Sequence, residues 1–236
     1  MINGSVRSIR TDLGFTVPSI APSPALFRSW QGGGSYPVVK RVFDVVMSLA
    51  ALLLLSPVIM LVAAAIRLDS PGPIVFRQTR LGKNGRPFTF YKFRSMYHRS
   101  DSSVHQRFVK GLINGDTTNT YKLSSDKRIT SVGQFIRKTS IDELPQFLNV
   151  LKGDMSLVGP RPPIPYEVAE YKDWHHRRLD VLPGLTGMWQ VRGRSLVSFD
   201  EMVAMDIAYV EQRSLALDLS LILQTIPAVI TGRGAR

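Results

Sequence analysis

Cysteine is absent from the 236 residues of this chain, which excludes disulfide bonds and thiolate metal sites. Histidine is scarce as well. The four that occur lie among polar residues without the spacing of metal ligands, so we interpret them as surface or loop residues: His98, His105, His175 and His176. Acidic residues number 18 against 30 Lys and Arg, and the net charge of +12 favours an anionic partner such as nucleic acid, acidic lipid or a phosphorylated substrate.

The longest apolar segment, Val45–Ile66, has 22 residues without a charge and contains Ser56 and Pro57 near its centre. A helix needs roughly 20 apolar residues to cross a bilayer. Proline, however, removes an amide donor and kinks or breaks a helix. Basic residues also flank the segment at both ends, whereas a spanning helix collects them mainly on its cytoplasmic side: Lys40, Arg41, Arg67, Arg77, Arg80 and Lys83. The pattern favours a re-entrant helix-break-helix hairpin that enters and leaves one face of a membrane.

Two other interpretations of this segment stay open on the local sequence. One is a single spanning helix that tolerates its proline, and the other is a buried core helix. A signal peptide is not expected, because the apolar run begins beyond residue 40 and no small-residue cleavage site follows it. The sequence therefore predicts a flexible tail at 1–37, rich in Ser, Gly and Pro, a membrane hairpin at 38–68, and a cytosolic membrane-associated domain at 69–236.

The third part has mixed signals and predicts a small α/β domain that is mainly α. Two short strands, 74–76 and 88–91, flank a Gly82-Lys83-Asn84-Gly85 turn, which predicts a β-hairpin. Gly153 is placed to end a helix that begins near Glu143. The other predicted elements are a helix and a loop between 96 and 127, a helix at Ile129–Arg137, a glycine-rich loop at 183–194, a helix at Phe199–Ser214 and an interfacial amphipathic helix at Leu215–Ile230.

The strongest local cluster of chemistry runs from Ser140 to Gln146 and contains Asp142 and Glu143. Pro145 suits the first turn of a helix, which places both carboxylates at the positive end of a helix dipole. An ionised aspartate can act there as a nucleophile toward phosphorus. The alternative is structural, because Asp is a favoured N-cap and Ser140 with Glu143 fits a capping box.

Candidate phosphate ligands are basic residues on stiff segments. In an extended strand Lys92 and Arg94 share one face about 7 Å apart and would suit a diphosphate; a charge-protected strand edge is the alternative. Arg161 is held between two prolines, and Arg194 follows the glycine-rich loop. Arg137 lies at the end of the predicted helix that precedes Asp142. For these last three arginines an ordinary surface position is the alternative.

Taken together, the motifs resemble one family. In chain order they are Lys40-Arg41-x-Phe43-Asp44, Ser56-Pro57, Ser70-Pro71-Gly72-Pro73 with Phe76-Arg77-Gln78, Gly85-Arg86-Pro87-Phe88, Tyr91 to Met96, Asp142 to Gln146, Leu148 to Ser156, Gly159-Pro160-Arg161-Pro162 and Pro183 to Gly187. They cover about residues 38–234. The set is similar to the bacterial monotopic polyprenyl-phosphate sugar phosphotransferases, above all to the short members that initiate exopolysaccharide synthesis.

The resemblance implies an enzyme that transfers a sugar-1-phosphate from a UDP-sugar to undecaprenyl phosphate. Asp142 would be the nucleophile, forming a covalent phosphosugar with release of UMP, and Glu143 its catalytic partner. Mg²⁺ is the expected cofactor, bound near Asp142. The Ser56-Pro57 break would match the family's re-entrant helix. The basic positions that the family places around the phosphates match Lys92, Arg137, Arg161 and Arg194.

The resemblance also implies a monotopic protein on the cytosolic face of the bacterial inner membrane, attracted to anionic lipid, with a homodimer expected only by analogy. Arg192, where Asn is common, and the long segment 97–127 depart from the family pattern and leave the donor sugar open. A non-catalytic scaffold of the same fold is the alternative function. Charge alone suggests a nucleic-acid binder, but no helix-turn-helix or aromatic RNA-binding motif supports one, so we expect no nucleic-acid partner.

Overall fold

The computed structural model of the chain describes residues 8–10, 16–18, 35–98, 103–114, 126–193 and 197–230. Within these ranges the protein is mainly helical, and its strands form small two-stranded sheets, in agreement with the predicted fold class. Most of the predicted tail lies outside the described residues. Inside it, β1 (Ser8–Arg10) and β2 (Thr16–Pro18) pair antiparallel.

Two apolar helices, α1 (Tyr36–Leu54) and α2 (Ser56–Asp69), are bent by 62° relative to each other. Pro57 has no N–H to donate to the carbonyl of Leu53, one turn earlier. The hydroxyl of Ser56 donates to that oxygen instead, at 2.8 Å. The Ser-Pro pair thus breaks the helix where predicted and still keeps the Leu53 carbonyl hydrogen-bonded, as an apolar environment requires.

Among the described helices none is long and apolar enough to cross a membrane alone, but α1 and α2 together have the length and composition of a broken span or a re-entrant loop. Both helices expose many large apolar side chains, which does not fit the alternative of a buried core helix. The re-entrant arrangement itself stays a prediction. Large apolar side chains are exposed on both arms: Val38, Val39, Val42, Val46, Met47, Leu49, Leu53, Leu54, Val58, Met60, Leu61 and Leu68.

We expect Pro57→Ala to straighten this unit, because alanine restores the amide that donates to Leu53 and removes the ring clash. A straight helix of this length favours spanning, which would move the chain termini to opposite faces of the membrane. Labelling of terminal tags by a membrane-impermeant reagent measures this. Leu54→Ala leaves the Ser-Pro pair intact and is the control. Termini that stay on one face in Pro57→Ala would show that proline is not the main determinant.

The predicted β-hairpin is confirmed and is longer than predicted. β3 (Val75–Leu81) and β4 (Pro87–Phe93) run antiparallel. The 3₁₀ turn between them, Lys83–Gly85, holds Asn84 in the left-handed region at φ 57°, where asparagine is several-fold enriched over most residues. The hairpin thereby presents β4, which carries Lys92, on a rigid support.

The remaining elements confirm the predicted helices with shifted ends. Residues 99–102 and 115–125 of the unfamiliar segment lie outside the described part of the chain. In chain order the elements are α3 (Ser103–Asn114), α4 (Ser131–Lys138), α5 (Gln146–Lys152), β5 (Ser156–Val158), α6 (Pro165–Val168), β6 (Gly184–Thr186), α7 (Met188–Arg192), α8 (Phe199–Gln212) and α9 (Leu215–Ile230), with 3₁₀ segments at Ile141–Glu143 and Asp173–Leu179.

The prediction of a glycine-rich loop at 183–194 is wrong. Its first half forms β6, which pairs in parallel with β5, and α7 follows. The glycines serve close backbone packing: a Cβ on Gly184 would lie 2.1 Å from the amide nitrogen of Gly159, and one on Gly187 would lie 2.3 Å from the carbonyl oxygen of Gly159. No side chain fits between these segments, which explains the glycines without an anion.

The carboxylate of Asp218 is stabilised within the apolar helix α9 by hydrogen bonds from other helices. It is 1% exposed, and it accepts hydrogen bonds from Lys40 at 2.7 Å, Tyr36 at 3.2 Å and Tyr209 at 2.7 Å. These contacts join α9 to α8 and to the start of α1. Another face of α9 exposes Leu215, Leu219, Leu223 and Ile226. The helix is therefore apolar on its exposed face, and its predicted amphipathic, interfacial role stays a prediction.

Candidate active site

Lys92, Asp142 and Glu143 meet at one point. The Nζ of Lys92, near the end of β4, lies 3.0 Å from Oδ2 of Asp142 and 3.0 Å from Oε1 of Glu143. The lysine and the aspartate are 50 positions apart in the chain, so the contact is made by the tertiary fold. One ammonium group serves both carboxylates.

The segment that carries Asp142 is a short 3₁₀ turn between α4 and α5. Ser140 enters it at φ 57°, a left-handed conformation that costs a non-glycine residue roughly 1–2 kcal/mol. The side chain of Ser140 makes no capping hydrogen bond, and α5 begins only at Gln146. The capping-box alternative is therefore wrong, and the carboxylate of Asp142 faces Lys92 instead.

The two carboxylates have different surroundings. Asp142 is 4% exposed, whereas the side chain of Glu143 is 35% exposed. Burial raises the pKa of Asp142 and outweighs the opposing effect of Lys92. Burial also disfavours the charged form of Lys92, but the two carboxylates outweigh it and raise its pKa, so the ammonium stays charged. Asp142 is thus a shielded carboxylate beside a permanent cation.

The carboxylates at the Mg²⁺ position predicted beside Asp142 are those of Asp142 and Glu143. The described residues hold no group of three or more His, Cys, Asp or Glu side chains arranged to bind a metal. Mg²⁺ in phosphate-transfer sites is commonly held by one or two carboxylates together with substrate phosphates. Lys92 bonds to Oδ2 of Asp142, and Glu143 is partly open to solvent. The pair therefore fits an ion whose coordination a diphosphate completes, and the metal site at Asp142 stays a prediction.

Arg94 lies apart from this cluster. The residue is 4% exposed, and its guanidinium donates to the carbonyls of Ile66 at 3.1 Å, Ser70 at 2.6 Å and Pro71 at 2.9 Å. These carbonyls close the C-terminal end of α2, where a cation is favourable. Lys92 and Arg94 were predicted to share one face of the strand, but only Lys92 contacts the carboxylates. The position of Arg94 therefore gives no support to its predicted contact with phosphate.

We expect Arg94→Met to lower the free energy of unfolding by about 2–3 kcal/mol, because it leaves buried carbonyls at the end of α2 without a donor. Urea denaturation in detergent measures this. Arg86→Met, at an exposed arginine of the hairpin turn, is the control and should change stability by less than about 0.5 kcal/mol. A stable Arg94→Met variant with weakened binding of UDP-sugar would instead support the phosphate role.

The other three predicted phosphate ligands, all arginines, differ in their surroundings and in whether the structure describes them. Arg137, in the last turn of α4, is close enough to lower the pKa of Asp142, although burial and Lys92 have larger effects. Arg161 is half-buried in the loop between β5 and α6. Arg194 lies outside the described residues. The structure thus brings Lys92 into contact with the nucleophile candidate. The phosphate-binding roles of all the predicted cations stay predictions.

Sequence reasoning missed a buried ion cluster beneath the Arg161 loop. Arg178 lies 2.5 Å from Asp206 and 3.4 Å from Glu167, and it donates to the carbonyl of Arg161 at 3.3 Å. All three charged side chains of the cluster are only 1% exposed. Burial raises the pKa of Asp206 to about 6 against the opposing effect of Arg178. The one available signal was a carboxylate, Asp206, within the apolar pattern of α8.

The surface interpretation of His175 is wrong. Its ring is completely buried, with Nε2 3.2 Å from Asp200 and Nδ1 accepting the backbone N–H of Lys172. Aromatic rings of Trp174 and Phe199 pack around it, and burial lowers its pKa. The histidine is part of the packing between the 3₁₀ segment and α8.

Comparison with known proteins agrees with the motifs. Residues 35–232 match the family model described as bacterial sugar transferase. The galactosyl transferase CpsE of Streptococcus agalactiae is 46% identical over 208 residues, which cover 86% of this chain and 44% of CpsE. The exopolysaccharide production protein ExoY of Sinorhizobium fredii is 42% identical over 200 residues, 84% of this chain and 88% of ExoY. A UDP-glucose:undecaprenyl-phosphate glucose-1-phosphate transferase of Caulobacter vibrioides is 38% identical over 245 residues, 97% of this chain and 82% of that protein.

The chain therefore spans less than half of CpsE and most of ExoY. The matched region begins before α1 and ends after α9, so it includes the bent apolar helices, the hairpin with Lys92 and the turn with Asp142. This confirms the family resemblance that the motifs indicated. The protein is a transferase that belongs to the bacterial sugar transferase family.

Proposed function

We propose that this chain transfers a sugar-1-phosphate from a UDP-sugar to undecaprenyl phosphate at the cytosolic face of the bacterial inner membrane, to begin exopolysaccharide or related glycan assembly. The observation that carries the proposal is the buried carboxylate of Asp142, held 3.0 Å from the ammonium of Lys92. The relative from Caulobacter is named for glucose-1-phosphate transfer to undecaprenyl phosphate, and ExoY is named for exopolysaccharide production.

In the first step a carboxylate oxygen of Asp142 attacks the β-phosphorus of the UDP-sugar. The bond from that phosphorus to the bridging oxygen breaks, the oxygen leaves with its electron pair as part of UMP, and an aspartyl phosphosugar remains. Lys92 and Arg137 offset the negative charge that gathers when a diphosphate meets a carboxylate, since the site would otherwise repel its substrate. Asp142 and Glu143 would hold Mg²⁺, which supplies further charge neutralisation when bound.

In the second step a phosphate oxygen of undecaprenyl phosphate attacks the phosphorus of the aspartyl phosphosugar. The bond to Asp142 breaks, the carboxylate is regenerated, and the product is an undecaprenyl-diphosphate sugar. Burial of Asp142 limits competing attack by water. The bent helices α1 and α2 and the apolar face of α9 support attachment at head-group level, where a lipid phosphate is within reach. The net charge of +12 favours anionic lipid, at about 1 kcal/mol per basic residue near the surface.

The proposal is tested by UMP release from the purified full chain in detergent micelles, with undecaprenyl phosphate, a panel of UDP-sugars, and Mg²⁺ or EDTA. Release with one or two sugars, lost in EDTA and restored by Mg²⁺, would support the function and identify the donor. Folded protein that releases no UMP with any sugar would favour the non-catalytic scaffold. Strongly salt-dependent binding of DNA or RNA would favour the nucleic-acid binder.

A further inference from the structure

Asn149 connects the strand that carries Lys92 to the helix that follows Asp142. It lies in the middle of α5 and is completely buried. Its Nδ2 donates to the carbonyl of Thr89 at 2.6 Å, and its Oδ1 accepts from the backbone N–H of Tyr91 at 3.1 Å. Both partners belong to β4, and Tyr91 directly precedes Lys92.

This contact takes the place of a neighbouring strand. β4 pairs with β3 on one side, and the N–H and C=O groups on the other edge of a two-stranded sheet need partners of their own. The amide of Asn149 satisfies one acceptor and one donor on that edge, as a paired strand would. Among side chains of this size only an amide offers a donor and an acceptor in one plane, while an ionised aspartate accepts only.

The contact also fixes how far α5 lies along β4. α5 begins at Gln146, shortly after the turn that holds Asp142, so a shift of α5 would carry the turn with it. At its other end α5 is held by Arg41 of α1, which donates to the carbonyls of its last turn at 2.6 and 2.8 Å. Between the carboxylate turn at its start and Arg41 at its end, α5 is joined to β4 by the Asn149 amide, which sets the register between the lysine strand and the carboxylate turn.

We propose that Asn149 is a positioning residue for the transfer reaction. It holds β4 and α5 in the register that keeps Lys92 against Asp142, and it does not touch the substrate itself. The proposal rests on the proposed function, because the Lys92–Asp142 pair is taken as the reacting site. Asn149 would influence the reaction only by keeping Lys92 and Asp142 in contact.

The first test is a double-mutant cycle on UMP release in a single turnover. Asn149→Asp keeps the volume but removes the amide that donates to Thr89 at 2.6 Å and to Asp154 at 3.2 Å. We expect the rate to fall about 10- to 100-fold, in line with the cost of a displaced reacting group. In a Lys92→Met background the same replacement should lower the remaining rate less than about threefold, because the contact through which Asn149 acts is already gone. Equal losses in both backgrounds would overturn the proposal.

The second test needs no activity. A lysine-acylating reagent is applied to the full chain without substrate, and modification of Lys92 is followed by mass spectrometry. Release of Lys92 from the two carboxylates in Asn149→Asp should speed its modification several-fold. Tyr209→Phe, which removes a buried hydroxyl far along the chain from β4, is the control for general destabilisation and should leave Lys92 unchanged.

The outcomes separate the two proposals. If the wild-type chain releases no UMP, the proposed function fails, and the acylation rate of Lys92 still decides whether Asn149 sets the register. If UMP is released but Lys92 reacts at the same rate in wild type and Asn149→Asp, the positioning role is overturned and the function stands. Asn149→Ser, which is too short to reach both β4 groups, replaces Asn149→Asp in both tests if that variant does not fold.

Discussion

Asp142→Asn is expected to lower UMP release by at least ~10³-fold, the scale on which loss of an enzyme nucleophile acts. An amide oxygen cannot form the acyl phosphate, so the first step is lost and not merely slowed. The fold should survive, because Glu143 still pairs with Lys92 and a buried amide needs less solvation than a buried carboxylate. A radiolabelled UDP-sugar given without lipid acceptor should label the wild-type chain and leave the variant unlabelled.

The control for Asp142→Asn is Asp173→Asn, an exposed carboxylate at the start of the 3₁₀ segment, which should leave release unchanged. Since burial raises the pKa of Asp142, the ionised nucleophile is lost at a higher pH than for an exposed aspartate, and the rate should decline accordingly on the acid side. Normal turnover by Asp142→Asn, together with inactive Glu143→Gln, would transfer the nucleophile role to Glu143.

Arg178→Met is expected to lower the free energy of unfolding by about 3–5 kcal/mol, because it leaves two buried carboxylates without their cation. The guanidinium lies 2.5 Å from Asp206 and 3.4 Å from Glu167, and methionine fills the volume but supplies no charge. It also removes a donor to the carbonyl of Arg161. Urea denaturation in detergent measures the change, and UMP release at a temperature where the variant is folded shows whether the Arg161 loop is disturbed.

Arg177→Met is the matched control for Arg178→Met. Arg177 is the preceding residue and pairs with Glu211 at 2.8 Å, but its side chain is 31% exposed and that of Glu211 43%, so its loss should cost less than about 1 kcal/mol. Equal effects of the two replacements would contradict the importance of the buried cluster.

The destabilisation by Arg178→Met should also depend on pH in a defined direction. The pKa of Asp206 is already raised by burial to about 6 in the native protein, above its value in the unfolded chain. Such a group contributes stability below its unfolded pKa, and this is lost as the pH rises through its folded pKa. Without Arg178, whose charge lowers that pKa, the carboxylate is protonated over a wider range. The variant should therefore be closer to wild type at about pH 5 than at about pH 8.

Local sequence patterns predicted features whose causes are local. Pro57 cannot continue α1, because it lacks an amide and its ring collides with the preceding turn, but it suits the first turn of α2, and the bend is found there. Gly153 ends α5 at φ 88°, as its freedom from a Cβ allows. The hairpin around Gly82–Gly85 follows from turn chemistry in the same way. Many such short motifs occur in the order of the family, so the sequence identifies the family without any tertiary contact.

Long-range contacts explain where the sequence interpretation failed. Arg94 looked like a partner of Lys92 because strand periodicity places both on one face, yet carbonyls at the end of α2 surround its guanidinium. Gly184 looked like part of a glycine-rich loop, yet it is required by the close approach of Gly159. In each case the decisive neighbour is distant in the chain, and no pattern within a short window contains it.

The sequence by itself determined the family, the bent apolar segment, the hairpin, and the identity of Asp142, Glu143 and Lys92 as candidates, because residue type and short spacing fix backbone breaks and available chemistry. Only the tertiary structure decided that Lys92 lies 3.0 Å from both carboxylates, that Arg94 does not join them, and that Asn149, Arg178 and Asp218 are buried polar links. Burial and hydrogen-bond partnership are properties of the packed chain, since desolvation and pairing arise only when remote segments exclude water together.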